Sequence, residues 1–156
     1  MRRLILSAIA AAAFAASAAA APLERIGAPT SPISASVKLP AGSTLVFLAG
    51  STPTRPSAGA YGDTKAQALS AFTNMQAALK AQGMAMGDVV MMRIFLVGDP
   101  AKGGAPDYAG MNEAYRQFFG TPEQPNKPAR MSMEVKSLAG PGVLIEIDAQ
   151  AAKAGA

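Results

Sequence analysis

The stretch VVMMRIFLV, Val89–Val97, decides how the chain is read. Its residues are β-branched, methionine, leucine or phenylalanine, with a single charge at Arg93 and no glycine or proline. That composition fits a strand covered on both faces. Upstream, Thr64 with Gln67 three residues on makes a capping box, and Leu69, Phe72, Met75 and Leu79 fall on one helical face before Gly83 ends the helix. Before that, Ser34–Leu39 and Leu45–Leu48 are short strand-like runs joined by Pro40-Ala41-Gly42, a reversing turn, so a hairpin is expected, with Ser51–Gly62 as a loop. Downstream, Asp99–Pro106 holds prolines and glycines and reads as a surface excursion. A second helix follows, capped by Asp107, with Tyr108, Met111, Tyr115 and Phe118 as its buried stripe and Gly120 as its stop. The turn-rich segment Thr121–Pro128 leads to Ala129–Val135. After Ala139–Gly142 comes Val143–Ala149, and the two read as a final strand pair. The order β-β-α-β-α-β-β predicts an α+β fold with helices on one face of a sheet.

The ends of the chain read differently. Arg2 and Arg3, an apolar run from Leu4 to Phe14 and small residues at Ala18–Ala20 follow the order of a secretory signal peptide. Residues 1–20 are therefore expected to be removed, residues 21–32 to form a flexible leader, 33–150 a single domain, and 151–156 a disordered tail. A periplasmic or secreted protein without a stable membrane anchor follows. The net charge of +4 includes Arg2 and Arg3, so the mature chain would carry 12 basic against 10 acidic residues, about +2, with no basic stripe for nucleic acid. There is no cysteine, which excludes disulfides, lipidation and thiol chemistry. There is no histidine either, so Ser-His-Asp and Cys-His catalysis is excluded and any metal site would have to use oxygen ligands alone. Neither a metal nor a cofactor is expected.

Alternation along Ala129–Val135 puts Arg130, Ser132 and Glu134 on one face, and along the last strand it groups Leu144, Glu146 and Asp148. If these strands were neighbours, an arginine on one could lie near a glutamate on the other. An exposed cross-strand ion pair worth about 0–1 kcal/mol would satisfy the same spacing.

A longer set of residues points to a family. Pro32, Ser34, Gly50, Pro53, Gln67, Asn74, Gly83, Gly87, Asp88, Val90, Phe95, Asn112, Tyr115, Phe118 and Phe119 run collinearly with its pattern. Pro128-Ala129-Arg130, Glu134-Val135 and Ile145–Ala149 look like its signature PAR…EV…IEIEA. Over nearly all of the mature part the chain resembles the Rid, or reactive intermediate deaminase, proteins, also called the YjgF family. The resemblance implies a chorismate-mutase-like homotrimer with sheets packed inward and ligand sites at the subunit interfaces. It implies that Arg130 grips a substrate carboxylate and that Glu146 positions or activates the water that hydrolyses an imine or enamine. Gly50, Asn112 and Ser132 would line that site. Ile33 stands where active members usually carry tyrosine, Ala49 where they carry serine, and Ser132 where cysteine is frequent, so a more apolar pocket is expected. A non-catalytic trimer that binds a small carboxylate is the alternative, and a ribonuclease or chaperone-like role, reported for some relatives, is a third. Processing is checked directly: mass spectrometry of the mature protein should find Ala21 at its N-terminus, outside the cytoplasm.

Overall fold

The computed structural model of the chain describes residues 21–155; the expected signal peptide lies outside the described residues. In chain order the elements are β1 (Glu24–Ile26), β2 (Ser36–Lys38), β3 (Thr44–Ser51), α1 (Thr64–Ala81), β4 (Val89–Leu96), α2 (Tyr108–Tyr115), β5 (Ala129–Glu134) and β6 (Ile145–Lys153). The main sheet has the order β3-β6-β4-β5. Strand β6 pairs antiparallel with both β3 and β4, and β5 runs parallel to β4. Both helices cover one face, where Phe72, Met75 and Leu79 of α1 and Met111 and Tyr115 of α2 meet Met92, Ile94 and Leu96 of β4 and Ile145, Ile147 and Ala149 of β6 in one core. The α+β prediction therefore holds. Among the described residues no helix is long and apolar enough to cross a membrane.

Strand pairing departs from expectation in two places. Strands β2 and β3 do not form a hairpin. The turn at Pro40–Ser43 is present, with the Ser43 hydroxyl donating to Pro40 O at 2.7 Å, but β2 pairs with β1 and β3 with β6. Three residues of β2 offer β3 little ladder, whereas β6 extends over nine. The last two strands are not neighbours either. The connection carrying α2 is long enough to return the chain parallel to β4, which puts β5 at the sheet edge, and β6 then enters between β3 and β4.

The ends are also more ordered than predicted. Residues 24–26 of the expected leader form β1, and 151–153 of the expected tail complete β6. Ala151 and Ala152 are fully buried. Helix α1 is capped by Asp63, which accepts from Ala66 N at 2.8 Å, so Thr64 is the first helical residue and not the cap. Gln67 instead ties α1 to the entry of β6, donating to Gly142 O at 3.0 Å and accepting from Leu144 N at 2.8 Å. Tyr108 is 39% exposed and lies off the buried stripe of α2; Phe119 takes a place in the core. Strand β4 is covered on its helix face alone. Arg93 on its outer face is exposed, while Met91 and Phe95 are half-buried.

β1 is held by Arg25, whose guanidinium donates to the carbonyls of Val89 (3.0 Å), Lys127 (2.9 Å) and Gly87 (2.8 Å). Burial pushes this guanidinium below its ordinary value. All three acceptors are backbone groups, so no sequence pattern reveals the clamp. Arg25→Met removes the shared donor, leaving Lys127 O with the Ser34 hydroxyl and Gly87 O with the Asn126 amide, and should lower unfolding stability by about 2–4 kcal/mol, read from the shift of the urea midpoint at unchanged slope.

Candidate functional site

The β4–β5 register sets Arg130 beside Met92 and Ser132 beside Ile94. Met92 and Ile94 are fully buried under the helices, so Arg130 and Ser132 also point to the helix face, at the sheet edge. There the Arg130 Cζ lies 4.4 Å from the centre of the Tyr115 ring, and Nη1 is 3.9 Å from Met111 Sδ. Among the described residues no carboxylate forms an ion pair with Arg130. Glu113, the acid on α2, pairs with Lys65 at 2.8 Å. Burial pushes the Arg130 guanidinium below its ordinary value, and the positive charge of Arg116 acts in the same direction. The Ser132 Oγ is buried and makes no hydrogen bond, a condition that costs about 1–3 kcal/mol. Arg130 and Ser132 thus form a half-buried cationic corner beside an unused hydroxyl, suited to an anion with further acceptor atoms.

Glu146 lies elsewhere. It pairs with Phe95 on β4, while its neighbours Ile145 and Ile147 are fully buried under the helices. Alternation therefore puts Glu146 on the outer face, opposite to Arg130. Strand β4 also stands between them. Two strand spacings put them roughly 10 Å apart across the sheet, and the three-residue offset from Met92 to Phe95 adds roughly 10 Å along it. The expectation that neighbouring strands bring this arginine near this glutamate within one chain is thus corrected. The residue that Glu146 does meet is Gly50 of β3: a Cβ at position 50 would collide with its carboxylate. Gly50 leaves the space that Glu146 fills, and Ala49 precedes it, exposed, where the β3–β6 register shifts.

Residues 25–153 match the family described as Endoribonuclease L-PSP. The chain belongs to this family. It is 38% identical over 127 residues to a RutC family protein of Pyrococcus horikoshii, spanning 80% of this chain and 90% of that one. It is 34% identical over 110 residues to the 2-iminobutanoate/2-iminopropanoate deaminase of Salmonella typhimurium, spanning 70% of this chain and 80% of that one. Among solved structures, Escherichia coli TdcF with bound serine superposes with a TM-score of 0.59 at 28% identity, covering 84% of this chain and 99% of that chain. The Rid resemblance and the YjgF-type fold are thereby established.

The remaining predicted positions divide between the two corners of this Rid protein. Ile33 packs on the core next to Ser34, which bridges to Ala129 at the start of β5, so it belongs to the Arg130 side. Asn112 sits on α2 between Met111 and Tyr115, both of which touch Arg130, and its side chain makes no hydrogen bond among the described residues. Ala49, Gly50 and Glu146 make up the other side. A cavity of about 600 Å³, lined by Arg55, Tyr61, Asp99 and Gly142 among others, includes neither Arg130 nor Glu146. No group of three metal-binding side chains exists among the described residues.

Sequence reading placed Tyr115 in the core stripe and in the family pattern but missed its contact with Arg130, because a strand-to-helix contact leaves no local periodicity. Burial pushes the Tyr115 phenol up to about 12. The unfolded chain releases this proton near pH ~10, so the contribution to stability is complete below that pH and is lost as pH rises through about 12. Urea midpoints should therefore fall between these pH values, and should fall less for Tyr115→Phe.

Proposed function

We propose that this protein hydrolyses imines or enamines that carry a carboxylate, giving a 2-oxo acid and ammonia, with a preference for apolar side chains. The observation that carries the proposal is Arg130, a half-buried guanidinium with no carboxylate partner in the described chain. A buried cation without an anion is an expensive arrangement unless a ligand completes it. The planar guanidinium binds a carboxylate through two parallel hydrogen bonds and so fixes the adjacent C=N carbon. Water then adds to that carbon. Glu146 accepts a proton from the water and passes it to nitrogen, which gives the carbinolamine; it then relays the hydroxyl proton to nitrogen as the C=O forms, the C–N bond breaks and ammonia leaves. A positioned carboxylate contributes about 10²–10⁴ in rate to such a step. The similarity to a deaminase acting on 2-iminobutanoate and 2-iminopropanoate supports this class of substrate.

Because Arg130 and Glu146 face opposite sides of one sheet, a site that uses both needs two copies: Arg130, Ser132, Asn112 and Ile33 from one, Gly50, Ala49 and Glu146 from the next. A homotrimer with three such sites fits this division. The outer sheet face supports it, since Phe47 is 69% exposed, Met131 48% and Leu45 39%, a surface that association would cover. Ile33 and Ala49 bring no hydroxyl to either half, which is the basis for the apolar preference. The signal-like N-terminus supports a location outside the cytoplasm for this activity.

The shared site has a sharp test. Arg130→Ala and Glu146→Gln should each be nearly inactive. When they are unfolded together and refolded at equal amounts, about one interface in four joins an intact Arg130 to an intact Glu146, so about a quarter of wild-type activity should return. A site within one chain gives no recovery above the parents. The same assay should show faster hydrolysis of 2-iminobutanoate than of 2-iminopropanoate.

A further inference from the structure

Charged side chains are seldom buried unless paired, and a paired arginine is aimed by its carboxylate. Arg130 is aimed by something else. Its guanidinium lies over the face of Tyr115, with Cζ 4.4 Å from the ring centre. Tyr115 is itself held on several sides: its hydroxyl donates to Pro32 O at 2.9 Å, its ring stacks on Phe119 at 4.9 Å, and Phe72 meets it edge-on at 6.2 Å. With its phenol pushed up to about 12, the ring presents a neutral π face at any physiological pH. Such a face attracts a cation through its quadrupole. A π face does not hold the N–H edge as a carboxylate does, whereas an acidic partner would occupy that edge and cancel the charge. One Nη1 hydrogen points to Met111 Sδ, a weak acceptor at 3.9 Å, and the rest of the fork stays available to an incoming carboxylate.

We infer that Tyr115 is the positioning residue of this site: its ring face fixes the plane of the Arg130 guanidinium and leaves the N–H edge free for the substrate carboxylate. The inference rests on the proposed role of Arg130 as the carboxylate anchor. Tyr115 acts through Arg130, and its hydroxyl, turned to Pro32, serves to lock the ring.

Fluorination separates this role from packing, because it drains the ring face of electron density at nearly constant shape. The mature protein is prepared with phenylalanine, 4-fluoro-, 3,5-difluoro- and pentafluorophenylalanine at position 115. Affinity for 2-oxobutanoate, the product of 2-iminobutanoate hydrolysis, is measured by calorimetry, and kcat and KM are measured with the imine. Dissociation constants should rise stepwise along the series, by about three- to thirtyfold at the pentafluoro end, with KM rising in parallel and kcat within about twofold. If the pentafluoro chain does not fold, the mono- and difluoro steps still carry the slope. Affinity that is flat across the folded members, while Arg130→Lys loses binding at least tenfold, overturns the role of Tyr115 alone. Wild-type affinity in Arg130→Lys overturns the anchor and the inference together.

Discussion

The parallel pairing of β5 with β4 is the constraint on which the rest of the molecule depends. It sets Arg130 beside the fully buried Met92 and so turns the guanidinium inward, against Met111 and Tyr115 of α2 at the sheet edge. It also leaves β6 to enter on the other side of β4, where alternation turns Glu146 outward. A hairpin between the last two strands would have exchanged this division for a cross-strand ion pair. The chemistry proposed for these residues is consequently divided between two faces by topology, which is why the proposed site calls for a second copy.

The Arg130 corner combines features that each lower stability. Burial disfavours the cation, Arg116 adds like charge, and the Ser132 hydroxyl goes without a partner. What offsets them is local. The aromatic group formed by Phe72, Tyr115 and Phe119 supplies a rigid π surface, anchored to the N-terminal segment through Pro32. The N-terminal segment is in turn fixed by the Arg25 clamp and by Lys127, which donates to Pro29 O and Ser31 O. Residues that look like a leader thus form the outer wall of the corner.

The opposite face of the sheet has another character. Its exposed Phe47, Leu45 and Met131 share this face with a bidentate ion pair between Arg93 and Asp148, at 3.0 and 2.6 Å. Apolar side chains at such exposure favour association, and a charge pair among them favours one registration of the partners over others. Gly50 and Glu146 lie on this same surface, so a contact that covered it would also bring a neighbour up to Glu146.

Apart from β1 and the end of β6, the sequence by itself determined the element types, the two helices with their Asp107 cap and Gly83 stop, the central strand, and the family. Those features are written in short-range periodicity, capping and collinear motifs, which a single chain displays without folding. It also named Arg130, Glu146 and Gly50. The tertiary structure alone decided which strands are neighbours, because pairing partners are chosen by long connections and by the competition between a three-residue and a nine-residue ladder for β3. For the same reason it alone decided that Glu146 meets Gly50 and not Arg130, that Arg25 closes the N-terminus on three backbone carbonyls, and that Arg130 rests on Tyr115. Contacts between distant segments carry no local pattern, and the face a side chain takes is settled only when its strand finds its partner.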